Sequence, residues 1–246
     1  MFSRVYRTVS QYIKFIRDYY NFINLDKYKR FPISLRDLYP CLRDNTGKTI
    51  FDRHYIYHTA WAARILRKVG PNTHIDISSS LYFSAIASAF INLEYYDYRP
   101  PDLRLDNLKV GRVNLLKLPF QDNSILSISV MHVIEHLGLG RYGDPIDPDG
   151  DLKAISELMR VVAPGGSLLF VVPIGRSKIM FNAHRIYSYE QIIQYFYGFI
   201  LEEYSLIPEN PDDGGLIRNP DKELTHRQIY GCGCFWFKNN NNIKIE

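Results

Sequence analysis

Between residues 73 and 172 the apolar pattern switches repeatedly between a period of two and a period of three to four. That alternation restricts the fold more than any other feature of the chain. Residues 73–77 read as a strand, 81–89 as a helix and 90–98 as a strand closed by Arg99-Pro100-Pro101. Residues 113–115 read as a short third strand, and 125–131 as an apolar strand after the turn Gln121-Asp122-Asn123-Ser124. Residues 152–162 then form a helix stopped by Pro164-Gly165-Gly166, and 167–172 a fully apolar strand ending at Pro173. Strands alternating with helices predict an α/β fold, a doubly wound, mostly parallel sheet covered on both faces.

The flanks differ from this middle. A helix is expected over 52–69, where Ala60, Ala62, Ala63, Ile65 and Leu66 are good formers and Gly70-Pro71 ends it. At the other end a helix at 188–199 precedes two apolar runs, 201–207 and 229–237. These are expected to pair as a C-terminal antiparallel closing hairpin across the irregular stretch 208–222.

Residues 1–36 hold eight Lys/Arg against two Asp, so the remaining chain is close to neutral, although the whole carries a formal charge of +4. Val5, Val9, Ile13, Ile16, Tyr20 and Ile23 recur at helical spacing, with Arg4, Arg7, Gln11, Lys14 and Asp18 elsewhere on the wheel. This helix is expected to end before Phe31-Pro32. The expected organisation is a basic, aromatic-rich helical extension over 1–50, an α/β domain over 51–238 and a polar tail over 239–246. The extension suits packing on the domain, a homodimer contact or peripheral contact with an anionic membrane surface; packing is the preferred expectation.

No apolar run reaches the ~18 residues of a membrane span. Lys14, Arg17 and Asp18 interrupt any signal-peptide core. Three cysteines build no disulfide framework, so a cytoplasmic location is expected. The mild positive charge falls short of a nucleic-acid-binding signature, so no nucleic-acid partner is expected.

In a parallel α/β sheet, ligands bind outside the carboxyl ends of the strands. The residues to read are therefore Asp76-Ile-Ser-Ser-Ser80, Asp97, Asn114-Leu115, His132-Val-Ile-Glu-His136, Pro173-Ile-Gly175 and, further on, Asn182-Ala-His-Arg-Ile-Tyr187. Their order, over about residues 73–175, resembles the class I S-adenosylmethionine-dependent methyltransferases. The most specific segments are Leu118-Pro-Phe-Gln-Asp-Asn-Ser124, Val133-Ile-Glu-His136, Glu157-Leu-Met-Arg160 and Ala163-Pro-Gly-Gly166. With Arg141-Tyr-Gly-Asp-Pro-Ile-Asp147, the stretch is similar to a bacterial branch of that superfamily associated with surface-polysaccharide biosynthesis.

The resemblance implies a Rossmann-like fold, S-adenosylmethionine as cofactor and methyl transfer to an oxygen of a saccharide or nucleotide-sugar-like acceptor. It implies that Asp97 takes the ribose hydroxyls and that Asn114 faces the adenine amino group. Asp76, Ser78, Ser79, Ser80, Leu115 and His132 complete the implied cofactor site. The family's loop glycines are absent from Asp76-Ile-Ser-Ser-Ser-Leu-Tyr82, where serines stand instead and Tyr82 adds bulk. That departure keeps two alternatives open: a silent methyltransferase-like module serving as an assembly partner, and a glycan-biosynthesis enzyme using another donor on the same fold.

Histidine titrates near neutral pH, so His136 and His184 are candidate bases, with Glu135 beside His136. Asp144, Arg185 and Tyr187 are expected to face the acceptor. As a bare string His132-x-x-Glu135-His136 matches an inverted zincin, but it follows a strand rather than lying on a helix. A divalent ion on these three residues is an alternative the sequence does not favour. Asp147, Asp149 and Asp151 lack the glycine and glutamate spacing of a calcium loop. In Cys232-Gly-Cys234, alternation puts both sulfurs on one face, as core.

Overall fold

The computed structural model describes residues 2–240, with side chains from Thr8 onward. Residues 241–246 of the expected tail, and the side chains of Arg4, Val5 and Arg7, lie outside the described set. The chain divides into two compact units, Met1–Phe51 and Asp52–Glu246. No helix among the described residues is long and apolar enough to cross a membrane.

In the first unit, helix α1 (Phe2–Leu25) is followed by extended chain and one 3-10 turn, Leu35–Asp37. The helix stops earlier than the proline at position 32 suggests. Asp26 ends it locally, its side chain accepting the Lys29 backbone N–H at 2.9 Å.

The second unit holds one eight-stranded sheet. Its strands are β1 (Thr73–Ile77), β2 (Asn92–Asp97), β3 (Leu108–Arg112), β4 (Ile125–Met131), β5 (Val162–Ile174), β8 (Phe199–Ile207), β9 (Ile217–Arg218) and β10 (Gly231–Asn239). A separate small ribbon pairs β6 (Lys178–Met180) with β7 (His184–Ile186). The sheet order is β3-β2-β1-β4-β5-β10-β8-β9. The pairs β3-β2, β2-β1, β1-β4 and β4-β5 are parallel, and β10 enters antiparallel between β5 and β8. The expected closing hairpin is therefore present.

Alternation along each strand divides the core between two faces. Leu168, Phe170, Val172, Phe235 and Phe237 pack with α4 (Gly150–Val161) and α5 (Tyr189–Tyr195). Leu169, Val171, Cys232, Cys234 and Trp236 pack on the other face with α2 (Arg53–Val69) and α3 (Leu81–Ala87). Helix α2 begins at Asp52, whose side chain accepts the Tyr55 N–H, and ends at Gly70 in the left-handed region. It is tied to the sheet where Trp61 Nε1 donates to Glu203 Oε1 at 2.8 Å.

Three boundaries differ from the expected ones. The third strand lies at β3, and residues 113–115 form the loop after it, because Asn114 folds its side chain onto the Leu116 N–H. β5 already begins at Val162 and carries Pro164-Gly165-Gly166 within it, across a register irregularity between Ile125 and Ser127. α5 is shorter than residues 188–199, starting after a capping box formed by Ser188 and Gln191. Short helix α6 (Lys222–His226) closes the stretch before β10.

The sequence signatures at residues 118–124 and 157–160 meet as a clamp. Arg160 donates to the carbonyls of Leu118 and Phe120 and to Glu157 and Asp122. Glu157 in turn accepts the Leu118 N–H at 2.7 Å. This holds the segment entering β4 against α4.

Candidate functional site

A cleft of about 400 Å³ opens at the carboxyl ends of β1, β2, β3 and β4. Ser78, Asp97, Tyr98, Arg99, Asn114, Leu115, His132, His136, Tyr142 and Asp144 are on its wall. Five expected cofactor residues thus meet there: Ser78, Asp97, Asn114, Leu115 and His132.

The β1 loop keeps a tight turn without glycine. Ser78 has φ of 55°, the left-handed region usually given to glycine, and its N–H donates to the Tyr96 carbonyl at 2.8 Å. Tyr82 is 85% exposed, so its bulk points away from the loop's interior. Asp97 ends β2 with Oδ1 accepting the Arg99 N–H at 2.7 Å and Oδ2 facing the Tyr95 hydroxyl at 3.3 Å. A carboxylate offers about four lone-pair sites, so acceptor capacity remains on Asp97.

Several expected contacts are corrected by burial. Asp76 is fully buried and holds the loop from behind: Oδ2 accepts from Ser84 and Oδ1 from Ser129, each at 2.5 Å. Burial raises its pKa to about 6 against the opposing hydrogen bonds. Ser79 is also buried, its hydroxyl oxygen accepting the Met131 N–H. Ser80 caps α3 by position without a side-chain bond and is not on the cleft wall. Asn114 does reach the cleft, but one lone pair of its carbonyl oxygen is already engaged in its turn.

On the acceptor side, Arg185 is 5% exposed and donates to the carbonyls of Leu137 and Pro148. Its guanidinium lies 3.5 Å from Asp151, which accepts the buried Tyr187 hydroxyl at 2.9 Å. Arg185 and Tyr187 are therefore internal supports rather than acceptor contacts. Asp144 lines the cleft, yet its carboxylate accepts three backbone N–H groups, from Gly138, Gly140 and Tyr142. It shapes the loop. These backbone bonds hold its carboxyl below the usual range against the effect of burial.

The histidines converge. His136 Nδ1 lies 2.7 Å from the Ala183 carbonyl, a distance that places the ring proton on Nδ1. Arg141 Nη1 shares that carbonyl at 3.0 Å. His136 Nε2 is 3.8 Å from Glu135 Oε1, and Glu135 Oε1 is 2.9 Å from His132 Nδ1. His184 stands 6.4 Å from His136, ring to ring, off the cleft wall. Burial lowers its pKa, and its Nε2 is buried without a hydrogen-bond partner.

His132 has φ of 58° directly after β4. A left-handed residue leaves the strand's alternation, and its ring lies against His54, Tyr55 and His58 of α2. Its Nε2 is 3.4 Å from Cys232 Sγ. Burial opposes its charge, whereas Cys232 and the Glu135 carboxylate favour it, and burial in turn pushes the Cys232 thiol up. His54, His58 and Tyr230 of this cluster were not singled out from sequence. The one local signal was the i, i+4 spacing of His54 and His58 on a helix.

The fold recurs in known structures. The N-methyltransferase NodS from Bradyrhizobium japonicum WM9, solved with S-adenosylhomocysteine, is 16% identical, covering 81% of this chain and 91% of that chain at a TM-score of 0.53. The chain has the Rossmann-like fold of class I methyltransferases. A Burkholderia thailandensis 1,6-didemethyltoxoflavin N1-methyltransferase, solved with 1,6-didemethyltoxoflavin and S-adenosylhomocysteine, is 9% identical. It covers 74% of this chain and 78% of that chain at 0.53. The YcgJ protein from Bacillus subtilis is 12% identical, covering 76% and 100%, also at 0.53. A family described as Caenorhabditis proteins of unknown function, DUF268, matches residues 119–219. No curated protein matches the sequence.

Proposed function

We propose that the chain is an S-adenosylmethionine-dependent methyltransferase acting on a hydroxyl of a saccharide or nucleotide-sugar-like acceptor. The observation that carries this reading is the protonation geometry of His136. With its Nδ1 proton on the Ala183 carbonyl, Nε2 keeps its lone pair on a cleft that also presents Asp97.

The cleft fits the cofactor. Its volume falls within the ~300–1,000 Å³ of small-molecule pockets. Asp97 on its wall would accept from vicinal ribose hydroxyls, and Ser78 and Leu115 line the same wall. The bound sulfonium supplies an electrophilic methyl group. With an acceptor hydroxyl in the cleft, His136 Nε2 would take its proton as general base. Glu135, almost fully buried at 3.8 Å, stabilises the resulting imidazolium. The saccharide class is supported by the sequence resemblance and by an aromatic–cationic cluster. Arg99 and Arg141 lie 5.0 and 5.1 Å from the Tyr142 ring, presenting guanidinium groups suited to a sugar phosphate.

Calorimetry of the full chain with S-adenosylhomocysteine tests the cofactor. Saturable heat is expected, and no heat or thermal shift at millimolar ligand overturns the reading. Transfer of labelled methyl to a panel of nucleotide sugars then tests the acceptor.

A further inference from the structure

Beside the cleft, three segments distant in sequence bring metal-binding side chains together. His54 from the first turn of α2, His132 after β4 and Cys232 at the start of β10 have ligand atoms all within 4.8 Å of one another. We propose that these three residues bind a borderline-soft divalent ion of the zinc class, with water as the fourth ligand. The proposal is independent of the methyltransferase reading.

The His132–Cys232 pair has the spacing the coordination needs. Zinc–nitrogen and zinc–sulfur bonds in a tetrahedral site place the two ligand atoms about 3.6 Å apart. His132 Nε2 and Cys232 Sγ are 3.4 Å apart. The other nitrogen of His132 is 2.9 Å from Glu135 Oε1. A carboxylate on Nδ1 fixes the tautomer that leaves Nε2 for the ion, the usual arrangement behind a metal-bound histidine. His132 is held there by an unfavourable left-handed backbone, the kind of strain that collects at functional sites.

A second observation points the same way. Glu135 Oε2 and His58 Nε2 are buried without hydrogen-bond partners, and their residues are 1% and 0% exposed. Both residues are neighbours of His132: Glu135 by its hydrogen bond, and His58 by a ring contact at 5.0 Å. Buried polar atoms are rarely left alone, and these two belong to residues that touch a proposed ligand. The donor set selects the ion's class. Two imidazoles and a sulfur suit zinc or cobalt, whereas magnesium and calcium require oxygen ligands. The ion would join α2 to the ends of β4 and β10, and would hold Glu135 beside His136 through His132.

Cobalt titration of the full chain, stripped with chelator and kept in a non-thiol reductant, reads the site without any methyl donor. One equivalent is expected to give tetrahedral d–d absorption together with a thiolate-to-cobalt charge-transfer band, both abolished by zinc. Cys232→Ser should lose the charge-transfer band. His54→Ala, at a partly exposed position, should weaken binding by more than about tenfold with an unchanged circular dichroism spectrum. Cys41→Ser, which removes the exposed thiol, should change neither. Absence of saturable cobalt and zinc binding overturns the proposal. So does a charge-transfer band that persists at full affinity in both Cys232→Ser and His54→Ala. Calorimetry with S-adenosylhomocysteine remains a separate measurement, so failure of one reading leaves the other standing.

Discussion

The Nδ1 of His136 donates to the carbonyl oxygen of Ala183 at 2.7 Å, across 47 residues of sequence. That bond sets the tautomer and leaves the Nε2 lone pair free on a residue that lines the cleft, 3.8 Å from a buried carboxylate. His136→Ala is expected to lower methyl transfer by about 10²–10⁴-fold, the usual contribution of a general base. Calorimetry should find S-adenosylhomocysteine affinity within about twofold of the parent, because the base acts on the acceptor proton. Equal loss of turnover and cofactor affinity would show His136 to be a wall residue.

Asp97 presents the charged acceptor at the end of β2. Asp97→Ala should weaken cofactor binding by about 1.5–3 kcal/mol, the scale of hydrogen bonds to a charged group. Titration calorimetry at fixed pH measures it. An unchanged dissociation constant would place the ribose elsewhere.

Asp76 makes folding stability depend on pH. Its pKa is raised to about 6 in the folded chain from 3.8, so between these values the native state binds more protons than the unfolded state. Stability from this group is therefore full below about pH 4 and falls as pH rises through 6. Fixing its ionised form buried costs on the order of 3 kcal/mol at neutral pH by linkage. His74 shares the network, donating from Nε2 to Ser129 at 2.9 Å while Ser129 donates to Asp76. Burial lowers the His74 pKa to about 3, so it stays neutral across this window. Urea melts from pH 4 to 7 should show the fall in the parent and a flatter profile in Asp76→Asn. Parallel profiles would reject the assignment.

Arg185 separates a structural role from a substrate role. Its guanidinium and the Asp151 carboxylate are 6% and 7% exposed, so Arg185→Ala leaves a buried carboxylate without its cation. A loss of about 3–5 kcal/mol in unfolding free energy is expected. At a temperature where the variant remains folded, its KM for the acceptor should be unchanged. A raised KM with parental stability would return Arg185 to the acceptor site.

The sequence by itself determined the sheet and several of the residues that line its cleft. Apolar periodicity is a local property, so β1, β4, α4 and the closing pair β8 and β10 could be read from it, and with them the strand ends that carry Ser78, Asp97 and Leu115. Burial and partnership are not local. Asp76 and Arg185 lie within strands near their ends and Tyr187 just after one, and only packing decided that they face inward. Asn114 sits in a loop rather than a strand because its own side chain competes for a backbone N–H. The meeting of His54, His132 and Cys232 was decided by tertiary structure alone. The sheet order sets β10 beside β5, α2 crosses that face, and the left-handed turn at His132 brings its ring to both. No periodicity within one segment encodes a contact among three.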